Sequence, residues 1–170
     1  MSTKLWDTQS FAYGTVTLVV SGNHLYRVCF KRSLEESLLE VGRYCPDASR
    51  SSHPLIREVF DQLKEYFQGD RRAFDVRLDN AELSGFARKV HKVLLDVPYG
   101  SVISYRDLAR MADSPGAARA VGRVMSSNPF PLIVPCHRVV NADGRLGQYS
   151  GGFGKETKAR LIDLERGLIS

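Results

Sequence analysis

The stretch Ile133–Val140, IVPCHRVV, sets a thiol, an imidazole and a guanidinium side by side inside an otherwise apolar run. A cysteine becomes a strong nucleophile once a base or a positive environment favours its thiolate, so Cys136 followed by His137 is a pair equipped for covalent chemistry. On a regular strand, adjacent side chains point to opposite faces. For these two to cooperate, the chain must turn there or a water must bridge them. On its own the pair reads first as a small buried hydrophobe beside a core imidazole. The neighbours add chemistry: Pro135 fixes the approach of the chain, Asn128 lies upstream, and Glu165 supplies a carboxylate. A carboxylate on the far side of an imidazole sets its tautomer and raises its basicity.

These residues need elements to hold them. GTVTLVV and HLYRVCF, separated by the turn signal SGN, predict a hairpin of Gly14–Val20 with His24–Phe30. A short helix is expected near Leu34–Val41. A longer one starts at Pro54 and stops at Gly69, with Leu55, Val59, Phe60, Leu63, Tyr66 and Phe67 at helical spacing. AFDVRLD reads as a third strand. Asp79–Gly85 looks like a hinge, giving an α/β domain over 1–80 and a second, mostly helical domain over 84–170. The second opens with a helix capped by Ser84, carrying Phe86, Val90, Val93 and Leu94 on one face. SYRDLARMA follows, with Ser104 and Asp107 at capping-box spacing. AARAVGRVM comes next, with Ser114 as expected N-cap and Pro115 in the first turn. Two short helices joined by a tight turn form a helix-turn-helix candidate. PFPLIVPCHRVV reads as extended chain, and KETKARLIDLERG as a last helix ended by Gly167.

The totals bound the function. A chain of 170 residues, 43% hydrophobic and 25% charged, has ordinary globular composition and needs no staples. No apolar run is long enough to span a bilayer, and MSTKLWDTQS has neither the basic start nor the apolar stretch of a secretion signal, so a cytoplasmic protein is expected. The three cysteines, Cys29, Cys45 and Cys136, are odd in number and widely spaced, which favours one special thiol over a disulfide framework. A net charge of +5 with pI near 9.2 favours an acidic partner such as nucleic acid.

NPFPLIVPCHRVV, then GQYSGG, then KARLIDLERG resemble the active-site region of the O6-alkylguanine-DNA alkyltransferases; YGSVISYRDLA and AARAVGRVM match in the same order. The resemblance runs from about Phe86 to Gly167. It implies an α/β (α+β) fold, with a ribonuclease-H-like N-terminal sheet and helix and a winged helix-turn-helix-like C-terminal domain. It further implies direct-reversal repair: Cys136 takes the alkyl group of O6-alkylguanine, and possible O4-alkylthymine, in one irreversible displacement after nucleotide flipping. His137 would act as base through a water, Glu165 would orient it, and Asn128 would hold the turn around the cysteine. Tyr105 would contact the guanine edge, Met125 and Val139 would supply apolar walls, and Tyr149 and Ser150 would flank the pocket in a closing loop. Arg119 would enter the space vacated by the nucleotide. Ala117, Ala118 and Gly122 would let its helix approach the minor groove, and Ser104, Arg106, Arg110 and Arg123 would meet phosphates. Arg138 is expected to tie the two halves together. The implied partner is double-stranded DNA, bound by a monomer, with cooperativity a possibility and no cofactor.

The segment after GG is two residues longer than the common family pattern, which leaves Glu156 and Asp163 as alternatives to Glu165. Relatives with a structural zinc suggest testing Cys29, Cys45, His24 and His53, but no close spacing supports a site, and no metal is expected. A non-repairing lesion binder of the same family would lack the acceptor thiol. A cysteine hydrolase would need an oxyanion hole. A helix-turn-helix regulator would need base-reading residues on Ala117–Ser126, a face that is mostly small.

Overall fold

The computed structural model describes residues 2–170. They form two compact units: one from the residues up to Asn80 together with Gly151–Phe153, the other from Ala81–Ser150 and Gly154–Ser170. In the first unit, β1 (Lys4–Phe11), β2 (Gly14–Ser21) and β3 (His24–Lys31) make an antiparallel meander. β4 (Ser49–Arg50) lies parallel to β1, giving the order β3-β2-β1-β4. The expected hairpin is present, one residue longer on each strand. β1 had no sequence signal because Asp7, Thr8, Gln9 and Ser10 break its alternation, and only pairing from Lys4↔Ser21 to Phe11↔Gly14 defines it.

β2 is buried on both faces. Odd-numbered residues face α1 (Leu34–Tyr44), where Val19 and Cys29 pack with Val41 and Cys45, and the buried Thr17 hydroxyl meets Ser37 Oγ at 2.7 Å. The other face of the sheet turns to α2 (Pro54–Phe67), where Phe67 meets Phe11, Tyr13 and Phe30. The expected third strand does not form. AFDVRLD pairs with the sheet through an isolated bridge of Leu78 to Leu25. The Gln62 amide takes the backbone of Asp75 instead, donating to its carbonyl at 3.0 Å and accepting from its N–H at 2.8 Å, which supplies partners a ladder would have given.

In the second unit, α3 (Gly85–Leu95), α4 (Tyr105–Met111) and α5 (Ala118–Ser126) pack on one another, and α6 (Lys155–Glu165) packs on a 3-10 turn at Cys136–Arg138. Ser84 and Ser104 cap α3 and α4 as expected, accepting from Ala87 N and Asp107 N. The buried stripe of α3 is Ala87, Val90, His91 and Leu94, so Phe86 and Val93 lie at its margin and a histidine lies within it. α5 starts later than expected. Gly116, at φ +86°, breaks the helical path, the Ser114 hydroxyl donates back to Ala112 O, and Ala117 becomes the N-cap without a side-chain bond. PFPLIVPCHRVV is not extended: Leu132 sits at φ +74°, and Val134 N→Phe130 O, Cys136 N→Val134 O and Arg138 N→Pro135 O wind the chain through turns. Only Val139–Val140 (β6) is strand, parallel to Ile103–Ser104 (β5). That short pairing sets the start of α4 beside the residues that follow Cys136.

Candidate active site

Asn128 builds the turn that the cysteine sits on. Its Nδ2 donates to Val134 O at 3.0 Å and its Oδ1 accepts from Phe130 N at 2.9 Å, so one amide closes the backbone on both sides of the Leu132 kink. The 3-10 turn that follows replaces the strand on which Cys136 and His137 would have pointed apart. Cys136 is 7% exposed and His137 fully buried.

Glu165 is the hub behind them. Its Oε1 accepts from His137 Nε2 at 2.7 Å and from Arg138 Nη2 at 2.9 Å; its Oε2 accepts from Arg138 Nε at 2.9 Å and from Gly100 N at 3.3 Å. Neither Glu156 nor Asp163 takes this place. Burial alone would push the Glu165 carboxyl up, but the hydrogen bonds from His137 and Arg138 and the Arg138 charge overturn that and hold it well below the usual carboxylate range. The two guanidinium N–H groups suffice to keep it ionised beside a neutral imidazole. His137 is held below its ordinary value by burial, with the Arg138 cation opposing the help from Glu165. The ring is therefore neutral, with its proton on Nε2. Arg138 also donates to Val97 O at 2.9 Å, so its bonds to Val97 and Glu165 order the hub within the second unit.

Burial pushes the Cys136 thiol up; a hydrogen bond from the Asn128 side chain, the Lys158 cation and the backbone amides of Cys136 and His137 pull it back. The site thus holds a neutral thiol surrounded by donors that favour its anion. Lys158, which has no role in the expectations above, is fully buried. It donates to Leu146 O and to Gln148 O at 3.3 Å, and its ammonium lies 5.9 Å from the Tyr105 ring centroid. Burial lowers its pKa to about 8. Its signal was readable: Lys158 shares a helical stripe with Leu161, Ile162 and Glu165, a cation on the apolar face.

Tyr105 and Tyr149 both lie within electrostatic reach of Cys136, and burial raises both phenols. The Tyr149 hydroxyl is buried with no hydrogen-bond partner among the described residues. Gly147, at φ +74°, brings the loop so close to Tyr105 that a Cβ would sit 3.3 Å from its hydroxyl. Met125 and Val139 are buried, while Ser150 is exposed. Arg119 and Arg123 project from α5 and Arg106 and Arg110 from α4, all exposed, with Ala118 and Gly122 partly buried on α5. Ser104 uses its hydroxyl as the α4 cap. The charge is segregated: residues 1–80 carry eleven basic and eleven acidic side chains, residues 81–170 thirteen and eight, so the whole surplus lies with this site. No group of His, Cys, Asp and Glu able to hold a metal occurs among the described residues, and no described helix is long and apolar enough to cross a membrane.

A buried thiol on a 3-10 turn, a His–Glu pair beside it and two short helices carrying exposed arginines are the features of the second unit, and a small α/β sheet makes the first. Comparison with known proteins gives the family. Residues 85–167 match the 6-O-methylguanine DNA methyltransferase, DNA binding domain, and residues 4–80 match the 6-O-methylguanine DNA methyltransferase, ribonuclease-like domain. A methylated-DNA–protein-cysteine methyltransferase from Metallosphaera sedula is 34% identical over 164 residues, 96% of this chain and 94% of that one. One from Mycobacterium bovis is 46% identical over 106 residues, so that match spans 62% of each protein. The crystal structure of Mycobacterium tuberculosis OGT in complex with DNA superposes with a TM-score of 0.81 at 36% identity, covering 96% of this chain and 93% of that one. The chain belongs to the 6-O-methylguanine DNA methyltransferase family.

Proposed function

We propose that this protein repairs duplex DNA by moving the alkyl group of O6-alkylguanine onto Cys136 Sγ, once per molecule. The observation that carries the proposal is the buried Cys136 beside a neutral His137 bonded to Glu165 at 2.7 Å, with the Asn128 amide and the Lys158 cation favouring the sulfur's anion. Nε2 is engaged by Glu165, so the thiol proton travels through a water to Nδ1 of His137, and the ionised Glu165 steadies the imidazolium. The sulfur attacks the alkyl carbon in line, forming the S–C bond as the C–O6 bond breaks, and guanine departs with its negative charge spread over the ring. Tyr105, and the buried Tyr149 hydroxyl that has no hydrogen-bond partner among the described residues, are donors suited to the base edge. The thioether is stable and no step restores the thiol, so the reaction is stoichiometric. O4-alkylthymine presents the same alkyl–oxygen bond and is a second substrate.

The base must leave the stack to reach a buried sulfur, at a cost of about a few kcal/mol. Arg119 on α5, among small neighbours, fills the gap from the minor groove, and the surplus of cations in residues 81–170 grips the backbone. One monomer serves one lesion. A cytoplasmic site of action suits cysteines that are odd in number and widely spaced along the chain.

Incubation with a duplex carrying one O6-methylguanine, followed by intact mass and peptide mapping, tests the proposal. The expected result is one added methyl on Cys136 and a plateau at one equivalent, while Cys136→Ala binds the duplex and gains no mass. Turnover beyond one equivalent, or a methyl on another residue, refutes it.

A further inference from the structure

We propose that Arg138 is a positioning residue that restrains the relay behind Cys136: by gripping both oxygens of Glu165 it leaves His137 a weak base, so the thiol keeps its proton while the site stands open. This rests on the alkyl-transfer reading of Cys136. Every group involved lies in the second unit. Arg138 meets the carboxylate as a fork, with Nε donating to Oε2 and Nη2 to Oε1, each at 2.9 Å. Oε1 is the same oxygen that accepts from His137 Nε2 at 2.7 Å. One carboxylate is thus divided between a cation and an imidazole. The guanidinium never loses its charge, and it offsets the field that would otherwise draw a second proton onto the ring.

Arg138 is itself fixed. Its side chain is buried, its Nη1 donates to Val97 O at 2.9 Å, and its guanidinium lies 5.8 Å from the Tyr99 ring centroid. The turn Val97–Gly100, which follows α3, supplies both contacts, and its Gly100 N donates to Glu165 Oε2 at 3.3 Å. At φ +84° Gly100 takes a conformation that strains a side chain, and a Cβ there would lie 3.1 Å from Glu165 O, so a glycine lets this turn close on the end of α6. The charged groups that face His137 are Glu165 and Lys158 on α6 and Arg138 next to it on the 3-10 turn, while Tyr105 on α4 and Tyr149 lie within reach of Cys136. Burial lowers the proton affinity of the ring, the bond and charge of Glu165 raise it, and the two cations lower it again. A Cys–His pair whose imidazole charges readily rests as thiolate and imidazolium, open to any electrophile. A restrained relay spares the resting thiol, which matters to a protein whose acceptor sulfur is spent in one reaction.

Arg138→Met tests this. The pH dependence of Cys136 alkylation by iodoacetamide, in which the S–C bond forms as iodide leaves, reads the thiolate. The NMR resonance of His137 Cε1 reads the imidazole. In the variant the midpoint of alkylation is expected to fall by about one pH unit or more, and His137 to titrate at higher pH than in wild type, because the carboxylate then acts on the ring undivided. The sign discriminates. Loss of a cation acting directly on the sulfur would move the midpoint up, and loss of a purely structural arginine would lower stability with the midpoint in place; either result overturns the proposal. Arg138→Lys keeps the charge, so its midpoint is expected near the wild-type value, and a shift as large as that of Arg138→Met also overturns it. Where Arg138→Met does not fold, Arg138→Gln, neutral but still a donor, replaces it with the same expected and refuting results. Wild type incubated with an O6-methylguanine duplex checks the reaction separately: no methyl transfer would refute the alkyl-transfer reading and leave the Arg138 result standing.

Discussion

His91 gives burial in the second unit a signature that titration can read. It lies on the buried stripe of α3 with Ala87, Val90 and Leu94, is 5% exposed, and neither ring nitrogen has a hydrogen-bond partner among the described residues. Burial lowers its pKa from 6.5 to about 4. The folded state therefore resists a proton that the unfolded chain accepts. The sign follows: this histidine costs no proton-linked stability above pH 6.5, and stability is lost as pH falls from there toward 4. The loss is about 2 kcal/mol at pH 5 and approaches about 3 kcal/mol at lower pH. His91→Leu removes the titration and also the unsatisfied imidazole N–H, which by itself costs about 1–3 kcal/mol at any pH. Urea unfolding followed by far-UV circular dichroism, run at about pH 7.5 and about pH 5, reads both effects. The variant is expected to be more stable at the higher pH, and its lead over wild type should widen by about 2 kcal/mol at the lower one. His137 and Glu165 are common to both proteins and cancel. A lead of the same size at both pH values would refute the assignment.

Glu165→Gln strips the partner from a buried guanidinium, so a loss of about 3–5 kcal/mol in unfolding free energy is expected. Adding Arg138→Met should recover much of that stability without restoring alkyl transfer, which separates the structural from the chemical part of the hub. Lys158→Met removes the cation beside Cys136, so the midpoint of thiolate formation, read from the pH dependence of iodoacetamide alkylation, should move up; an unmoved midpoint would remove Lys158 from the electrostatics of the thiol. Arg119→Ala should slow transfer from duplex more than transfer from a free alkylguanine base, since only the duplex requires extrusion, and equal slowing would count against its role in flipping.

Much of the fold was legible because its signals are local. Ser84 and Ser104 announce helix starts, Pro54 a first turn and Gly167 a stop, and the β2–β3 hairpin carries alternation with a turn between. What failed depended on distant partners. β1 exists by pairing with β2, its own pattern being broken by polar residues. AFDVRLD has strand composition but gives its Asp75 backbone to Gln62. α5 begins after Gly116 because the chain must turn there to pack on α4.

The order Pro135-Cys136-His137-Arg138 determined by itself which atoms could react, since the identity of a nucleophile and a base is a property of side chains. Which carboxylate backs the imidazole, that Arg138 grips the same carboxylate, that Lys158 is drawn in under Tyr105, and that three glycine-rich residues belong to the other unit were decided only in three dimensions. Hydrogen bonds, burial and charge depend on distance in space, and the spacing of residues along a chain does not fix that distance until the chain has folded.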